Sequence, residues 1–252
     1  MQRFLIYILP LALLAADPSA AQMKMRGTSG AGRLLFFSAA ISTNGLSCAH
    51  CHSISDESVV DDGLLRPGHS LRGAAARTTW WGKEPDDEDA YPDVAAAAVV
   101  CVEHFQRNPE KLTAQQILDL KAFLVSISRG ADRTPLPLSA AADKTGEYRG
   151  YDGGDQLRGR GLFFAACHNC HPNGNAGIAP ALPRDREASF YARKVREGDG
   201  LGAVLSQVDP NAYNPEAGLF MPFFGADRLS QPDLRDIIAY IKSLPAPPPE
   251  KQ

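Results

Sequence analysis

The stretch Cys167-His168-Asn169-Cys170-His171 occurs a second time, with a different spacer, as Cys48-Ala49-His50-Cys51-His52. In each copy two thiols are separated by two residues, and a histidine follows the second thiol directly. This spacing lets both thiols add to the two vinyl groups of one haem while the histidine lies under the iron, which is the signature of covalent c-type haem attachment. The sequence therefore predicts two covalently bound haem c groups, one at each copy.

Two other interpretations of a Cys-x-x-Cys pair fit this chain less well. A zinc site would need both cysteine pairs on one metal, but the pairs lie about half the chain apart, each in its own surroundings. A thioredoxin-like dithiol needs no histidine after the second cysteine, and neither copy follows a βαβ pattern. We therefore assign haem attachment to Cys48, Cys51, Cys167 and Cys170, and iron binding to His52 and His171.

Composition and charge exclude several classes of protein. With 252 residues, 44% hydrophobic and 22% charged, the chain is ordinary globular material for one or two domains. The formal net charge of −3 and the lack of a basic run argue against a nucleic-acid partner.

Residues 1–21 have the pattern of a secretory signal peptide. Arg3 precedes an apolar run from Phe4 to Ala16, and small residues surround the expected cleavage point after Ala21. The run is shorter than the roughly 18 residues that a membrane-spanning helix needs. We expect a periplasmic protein with no transmembrane anchor after signal cleavage, since c-type haem is attached outside the bacterial cytoplasm.

The two halves of the chain repeat one pattern. A predicted helix from Thr113 to about Ser128 aligns with one from Ser230 to Leu244, so that Leu120 matches Ile237. No stretch shows a convincing strand alternation, so the predicted fold class is all-α. We expect one domain over residues 30–130 and another over 153–245, joined by a linker at 131–152. Residues 246–252 form a proline-rich tail.

The order of motifs in the second half resembles that of a class I cytochrome c. The haem motif, a loop at Pro180, Arg196-Glu197-Gly198, Met221-Pro222 and a final helix follow one another as in that family. The resemblance implies two tandem cytochrome c-like domains, each wrapping one covalently attached haem. It also implies that the motif histidine is the proximal ligand and that Met221 is the distal ligand of the second haem. Such a pair leaves no open position on the iron and suits electron transfer.

The first half has no methionine in the matching position. The offset that aligns the last helices places His104 there, and a second histidine would be a good iron ligand. Cys101, one helical turn earlier, and His69 are alternatives, as is an open site. We predict His104 and keep the other two candidates.

Two further resemblances suggest catalysis. The segment around residues 35–48, with Leu71-Arg72 and Trp80-Trp81-Gly82, is similar to the N-terminal domain of bacterial di-haem cytochrome c peroxidases. The stretch Cys101-Val102-Glu103 is similar to the cysteine-ligated haem site of thiosulfate dehydrogenases.

These patterns favour a periplasmic di-haem cytochrome that relays single electrons between redox proteins, such as other cytochromes, a dehydrogenase or an oxidase. The alternative is a di-haem oxidoreductase, peroxidase-like or acting on a sulfur compound, with the first haem as its active centre.

Overall fold

A computed structural model describes residues 25–55, 62–81, 83, 85–108, 110, 112–131, 141–212 and 221–246. Within these ranges the chain forms eight α-helices and no strand, which confirms the all-α prediction. The signal peptide and residues 247–252 of the proline-rich tail lie outside the described residues.

The α-helices, in chain order, are α1 (Ser29–Phe37), α2 (Cys48–Cys51), α3 (Val94–Val100), α4 (Ala114–Ser126), α5 (Gln156–Ala166), α6 (Ala188–Glu197), α7 (Leu201–Leu205) and α8 (Gln231–Ser243). Short 3-10 helices occur at Ala74–Ala76 and Pro172–Gly174, and a π-helical turn at Cys101–Phe105 continues α3. The two helices expected from the periodicity at 113–128 and 230–244 correspond to α4 and α8.

The last helix of each half begins at the predicted hydroxyl residue. Thr113 Oγ1 accepts a hydrogen bond from the Gln116 N–H at 3.2 Å, and Ser230 Oγ accepts one from the Asp233 N–H at 3.2 Å. Each hydroxyl satisfies a backbone donor that has no partner within the first turn of a helix. The helix starts that the sequence predicts are confirmed.

The two halves use the same helix crossing, with α1 packed on α4 and α5 packed on α8. A glycine lies at each crossing. A Cβ added to Gly32 would be 2.7 Å from the Cβ of Phe123, and one added to Gly159 would be 3.0 Å from the Ile237 nitrogen. Only glycine permits backbones to approach this closely, so the two glycines set the distance between first and last helix.

In each half, an aspartate on the last helix accepts a hydrogen bond from the backbone at the start of the first helix. Asp119 Oδ1 accepts a hydrogen bond from the Thr28 N–H at 2.7 Å, and Asp236 Oδ1 accepts one from the Asp155 N–H at 2.9 Å. Asp236 also pairs with Arg158. Because Asp119 and Asp236 occupy matching positions, the repeat extends from sequence pattern to polar contacts.

Two separate hydrophobic clusters form the cores. The first collects residues of α1, α3, the π-helical turn and α4, with these buried members: Phe36, Ile41, Ala74, Val94, Val102, Leu112, Leu120, Phe123 and Leu124. The second collects residues of α5, α6 and α8 and the loops between them: Tyr148, Tyr151, Phe163, Ala188, Tyr191, Ala192, Val195, Phe224, Leu229, Leu234, Ile237, Ile238 and Ile241. Each helix pair therefore has its own core.

The later part of the predicted linker packs as part of the second half. Ser206 Oγ accepts hydrogen bonds from the N–H groups of Ala141 and Ala142 at 2.8 and 2.9 Å, and Tyr148 and Tyr151 are buried in the second cluster. The segment turns at glycines with positive φ, so it carries no periodicity that would reveal its burial. The second half thus extends upstream to at least Ala141.

Among the described residues, no helix combines the length and the apolar character that crossing a bilayer requires.

Replacing Gly159 by alanine should destabilise the protein by about 1–3 kcal/mol, because the new methyl group overlaps the backbone of α8. Gly161→Ala is the matched control on the same helix, since no atom lies within 4 Å of its added Cβ. It should be neutral or stabilise by up to ~1 kcal/mol through helix propensity. Chemical denaturation of both variants measures the difference, and equal stabilities would refute the close crossing.

Candidate functional site

The first Cys-x-x-Cys-His motif begins in helix α2, which His50 helps to cap. The His50 Nδ1 accepts a hydrogen bond from the Ser47 N–H at 2.9 Å. In the second motif, His168 Nδ1 accepts one from the Asn173 N–H at 3.2 Å, and its ring stacks on Phe164. Both spacer histidines are therefore engaged locally, in keeping with the absence of an assigned iron role for them.

The histidine that ends the first motif is oriented by a backbone carbonyl. His52 Nδ1 lies 2.8 Å from the His69 oxygen. A carbonyl oxygen only accepts, so Nδ1 carries the proton and Nε2 keeps a lone pair for a metal. Burial lowers the pKa of His52, which favours the neutral ring that a metal requires.

The second motif has the same arrangement. His171 Nδ1 lies 2.8 Å from the Pro180 oxygen, the residue is only 9% exposed, and burial lowers its pKa. The following loop is tied back alike in both halves: the Cys51 carbonyl accepts from the Gly68 N–H at 2.9 Å, and the Cys170 carbonyl accepts from the Ala179 N–H at 3.1 Å. His69 and Pro180 thus occupy equivalent positions.

The four motif cysteines are partly buried. Burial raises the pKa of the Cys48 thiol to about 11 and that of the Cys167 thiol to about 12.

A cavity of about 410 Å³ opens beside the first motif and is lined by Cys48, Cys51 and His52. This volume is within the range of roughly 300–1,000 Å³ that is typical of cofactor pockets. Apolar residues of the first half form most of the wall, among them Phe36, Leu46, Leu71, Val94, Leu120 and Leu124. The second half closes the remaining side with Leu205, Pro222, Phe223, Gly225, Asp227 and Arg228.

Both tryptophans of the chain, Trp80 and Trp81, line this cavity. Trp80 donates its Nε1–H to the Ala74 carbonyl at 3.0 Å, and Trp81 donates to the Ala97 carbonyl at 2.9 Å. With their polar ends satisfied, the two indoles contribute apolar surface to the pocket.

The three candidates for the distal position of the first site lie in different places, and two of them, Cys101 and His69, line the cavity. Burial and, to a smaller extent, the nearby Cys48 and Cys51 raise the pKa of the Cys101 thiol well above the usual value. His104 does not line the cavity.

Cys101 and His104 both belong to a π-helical turn. It spans Cys101–Phe105 and closes with a hydrogen bond from the Gln106 N–H to the Cys101 carbonyl at 3.0 Å. The wider turn changes the helical register, and π-turns are frequent at functional sites.

His69 lies on the proximal side. Its carbonyl contacts His52, and its own Nε2 lies 2.6 Å from Asp227 Oδ2.

Met221 is partly buried against the second cluster, as is Cys167. The chain passes close to α6 here, because a Cβ at Gly198 would overlap the Met221 carbonyl, and Gly198 has a φ of 64°. The Phe224 N–H donates to the Val195 carbonyl at 2.8 Å and fixes the segment after Met221.

The two motifs meet at one small cleft of about 40 Å³, which both Cys51 and Cys170 line. Residues 64–68, here called the bridge, run along it and contact both motifs. The Leu65 N–H donates to the Ala165 carbonyl at 3.0 Å, and Arg66 Nε donates to the Ala49 carbonyl at 3.0 Å. The bridge therefore links the first motif, at Ala49, to the end of helix α5 just before the second motif, at Ala165.

Comparison with known proteins identifies the second half. Residues 156–245 match the family model of cytochrome c, so this part of the chain is a cytochrome c domain, which implies a covalently bound haem c and a redox role. No curated protein matches the chain significantly. Thiosulfate dehydrogenase TsdBA of Marichromatium purpuratum, in its as-isolated form, is similar at 17% identity and a TM-score of 0.36, over 93% of this chain and 50% of that one. The chain thus spans about half the length of that protein.

The residues around both motifs fit haem c. At the second motif, Cys167 and Cys170 supply the thiols, and His171 presents Nε2 as a metal ligand. At the first, the same donor set borders a cavity of suitable volume.

The sequence alone did not predict the bridge, nor the residues of the second half that line the cavity beside the first motif. It also missed the equivalence of His69 and Pro180, because 17 residues separate His52 from its carbonyl partner and only 9 separate His171 from its own. The one available signal was the position of both loops directly after a motif.

Gly68→Ala should displace the His52 ring, since the added Cβ would lie 2.5 Å from its Nδ1. We expect a loss of about 1–3 kcal/mol in stability and an altered ferric absorption spectrum, because overlap in a packed region costs that much. Gly30→Ala, with no atom within 4 Å of the new methyl group, is the control and should leave the spectrum unchanged. An unaltered spectrum in Gly68→Ala would contradict the proposed ring position.

Proposed function

We propose that the chain is a periplasmic di-haem c-type cytochrome that relays single electrons between redox protein partners. The observation that carries this proposal is the shared cleft, where Cys51 of the first motif and Cys170 of the second face each other. Burial and, next in size, the nearby Cys170 thiol raise the pKa of the Cys51 thiol to about 12. The attachment points of the two haem groups would therefore lie close together.

The bridge keeps the two sites at a fixed separation. The Leu65 N–H of the bridge bonds to the Ala165 carbonyl of the second half. The Arg66 guanidinium bonds to the Ala49 carbonyl and the Asp62 carboxylate. The Arg66 carbonyl accepts a hydrogen bond from Arg228 Nε at 3.1 Å. Contacts on both sides restrict relative motion of the motifs. A fixed separation suits repeated transfer between the same two centres.

Haem iron, when bound, supplies the one-electron ferric/ferrous couple. For the second site we propose His171 and Met221 as the axial ligands. The Pro180 carbonyl fixes the His171 ring, and the contact with Gly198 fixes the backbone of Met221. A histidine–methionine pair raises the reduction potential and leaves no position for substrate.

For the first site we propose His52 and Cys101, in place of the His104 expected from the sequence. Cys101 lines the same cavity as His52, whereas His104 lies outside it. An anionic thiolate stabilises ferric iron, so this centre would have the lower potential of the two. Electrons would then pass from the first site to the second and on to a partner such as another cytochrome or an oxidase.

A second candidate function is an oxidoreductase with the first site as its active centre, peroxidase-like or acting on a sulfur compound. The observation that favours it is the position of Cys101 in a cavity that residues of both halves line. Movement of the second-half wall would open this site.

The relay predicts two haems per chain and no rapid ligand binding. Pyridine haemochrome analysis should give two haems for the native protein and one for Cys167→Ser/Cys170→Ser, because each cysteine pair holds one group. Cyanide added to the ferric protein at neutral pH should leave the spectrum unchanged, since both irons have two protein ligands. Prompt cyanide binding would instead support the oxidoreductase.

Cys101→Ala should convert the first haem to a high-spin ferric state, because the sixth ligand is lost. His104→Ala is the matched control from the same π-helical turn and should leave that haem low-spin. Electron paramagnetic resonance of the two ferric variants distinguishes the spin states. The reverse pattern would restore His104 as the ligand.

A further inference from the structure

The carbonyl that orients each motif histidine is restrained differently in the two halves. In the second half it belongs to Pro180, whose ring fixes the backbone φ, and Ala179 precedes it. In the first half it belongs to His69, which follows Gly68. Glycine has the widest backbone freedom of any residue. The first carbonyl is therefore less restricted by its own sequence than its counterpart in the second half.

Steric contact requires the glycine at this point of the first loop. A Cβ at Gly68 would lie 2.2 Å from Cε1 of the motif histidine. The Gly68 N–H donates to the Cys51 carbonyl at 2.9 Å. The Leu71 N–H donates to the Ser53 carbonyl, also at 2.9 Å. The loop is thus held by its own half before and after position 69, and the remaining freedom lies at His69.

A side chain of the second half restrains His69. Its Nε2 lies 2.6 Å from Asp227 Oδ2. A carboxylate only accepts hydrogen bonds, so Nε2 donates, and such a charge-assisted bond is stronger than one between neutral groups. The two side chains are 26% and 31% exposed, and both residues line the first cavity. The bond therefore lies where the two halves meet, at the wall of this cavity.

The segment that carries Asp227 is itself fixed at two further points. Arg228 Nε donates to the Arg66 carbonyl at 3.1 Å, so the same segment holds the loop on both sides of its glycine. The Phe224 N–H donates to the Val195 carbonyl at 2.8 Å, which attaches the segment to α6. Asp227 is therefore an anchor with a defined position.

We propose that Asp227 is a positioning residue for the first haem iron, and that it acts through the His69 imidazole on the carbonyl that orients His52. The contacts run from Asp227 Oδ2 to His69 Nε2, and from the His69 oxygen to His52 Nδ1 at 2.8 Å. A hydrogen bond to the outer nitrogen of a metal-bound imidazole fixes its ring plane and raises its basicity. The inference rests on the haem proposed at the first motif.

The anchor makes the ligand geometry of the first iron depend on the second half. The second site has no such dependence, because the ring of Pro180 restrains the carbonyl that His171 contacts. Removing the anchor should therefore alter the first haem and leave the second haem as it is.

Electron paramagnetic resonance of the full haem-loaded chain tests this, because the g-values of a low-spin ferric haem follow the orientation and strength of its axial ligands. Asp227→Ala should shift the g-values of one ferric signal and leave the other native. Asp227→Asn keeps an acceptor for the His69 N–H and should stay close to native. Asp152→Ala, which removes an exposed carboxylate of the second half, is the charge-matched control and should change neither signal. Equal shifts in both Asp227 variants would assign the effect to charge and overturn the proposal.

A double-mutant cycle shows whether Asp227 acts through His69. His69→Ala should give the same shift as Asp227→Ala, and the double variant should give no larger one, because each change removes the same contact. Additive shifts, or native g-values in both single variants, would overturn the proposal. His69→Ala decides the question if Asp227→Ala does not fold.

Amide hydrogen exchange supplies a readout that does not depend on haem. The N–H groups of Gly68 and Leu71 should exchange faster in Asp227→Ala than in the native chain or in Asp152→Ala, since loss of the anchor lowers the free energy of local opening. A count of one haem per chain would end the relay, whereas faster exchange would still support the anchor. Two haems with native exchange and native g-values would overturn the anchor alone.

Discussion

The hydrogen bond between the motif histidine and a backbone carbonyl organises both halves of this protein. His52 with the His69 oxygen and His171 with the Pro180 oxygen each close a loop directly beneath the proposed iron position. The bond selects the tautomer that leaves Nε2 available and fixes the plane of the ring. At the first site it also requires a glycine at position 68, where any side chain would meet the ring.

The local features follow from the sequence because their causes are local. A Cys-x-x-Cys-His spacing, an apolar stripe and a hydroxyl residue before a helix specify the motif and the helices α4, α6 and α8 with few alternatives. The equivalence of the two last helices was also visible, since both keep the same apolar positions. Gly32 and Gly159 also form a matching pair in the two halves, although their role at the helix crossing becomes evident only in three dimensions.

The remaining features depend on geometry that no spacing rule contains. The alignment that matches His104 with Met221 assumes an ordinary helical register, whereas both His104 and Cys101 lie in a π-helical turn, so the sequence offset alone does not decide between them. Contacts between the halves are also absent from any spacing rule, because Asp227 pairs with His69, 158 residues away, and Leu65 bonds to Ala165 in the other half. Burial of Tyr148 in an aperiodic segment follows from turns at glycine and not from any pattern of apolar residues.

The wall that the second half adds to the first cavity bears on how the chain matures. Residues 222–228 complete a pocket whose cysteines and histidine precede them by more than half the chain. Synthesis proceeds from the N-terminus, so Cys48 and Cys51 emerge long before that wall. The haem attachment proposed at these thiols would therefore have access from the side of the pocket that residues 222–228 later line.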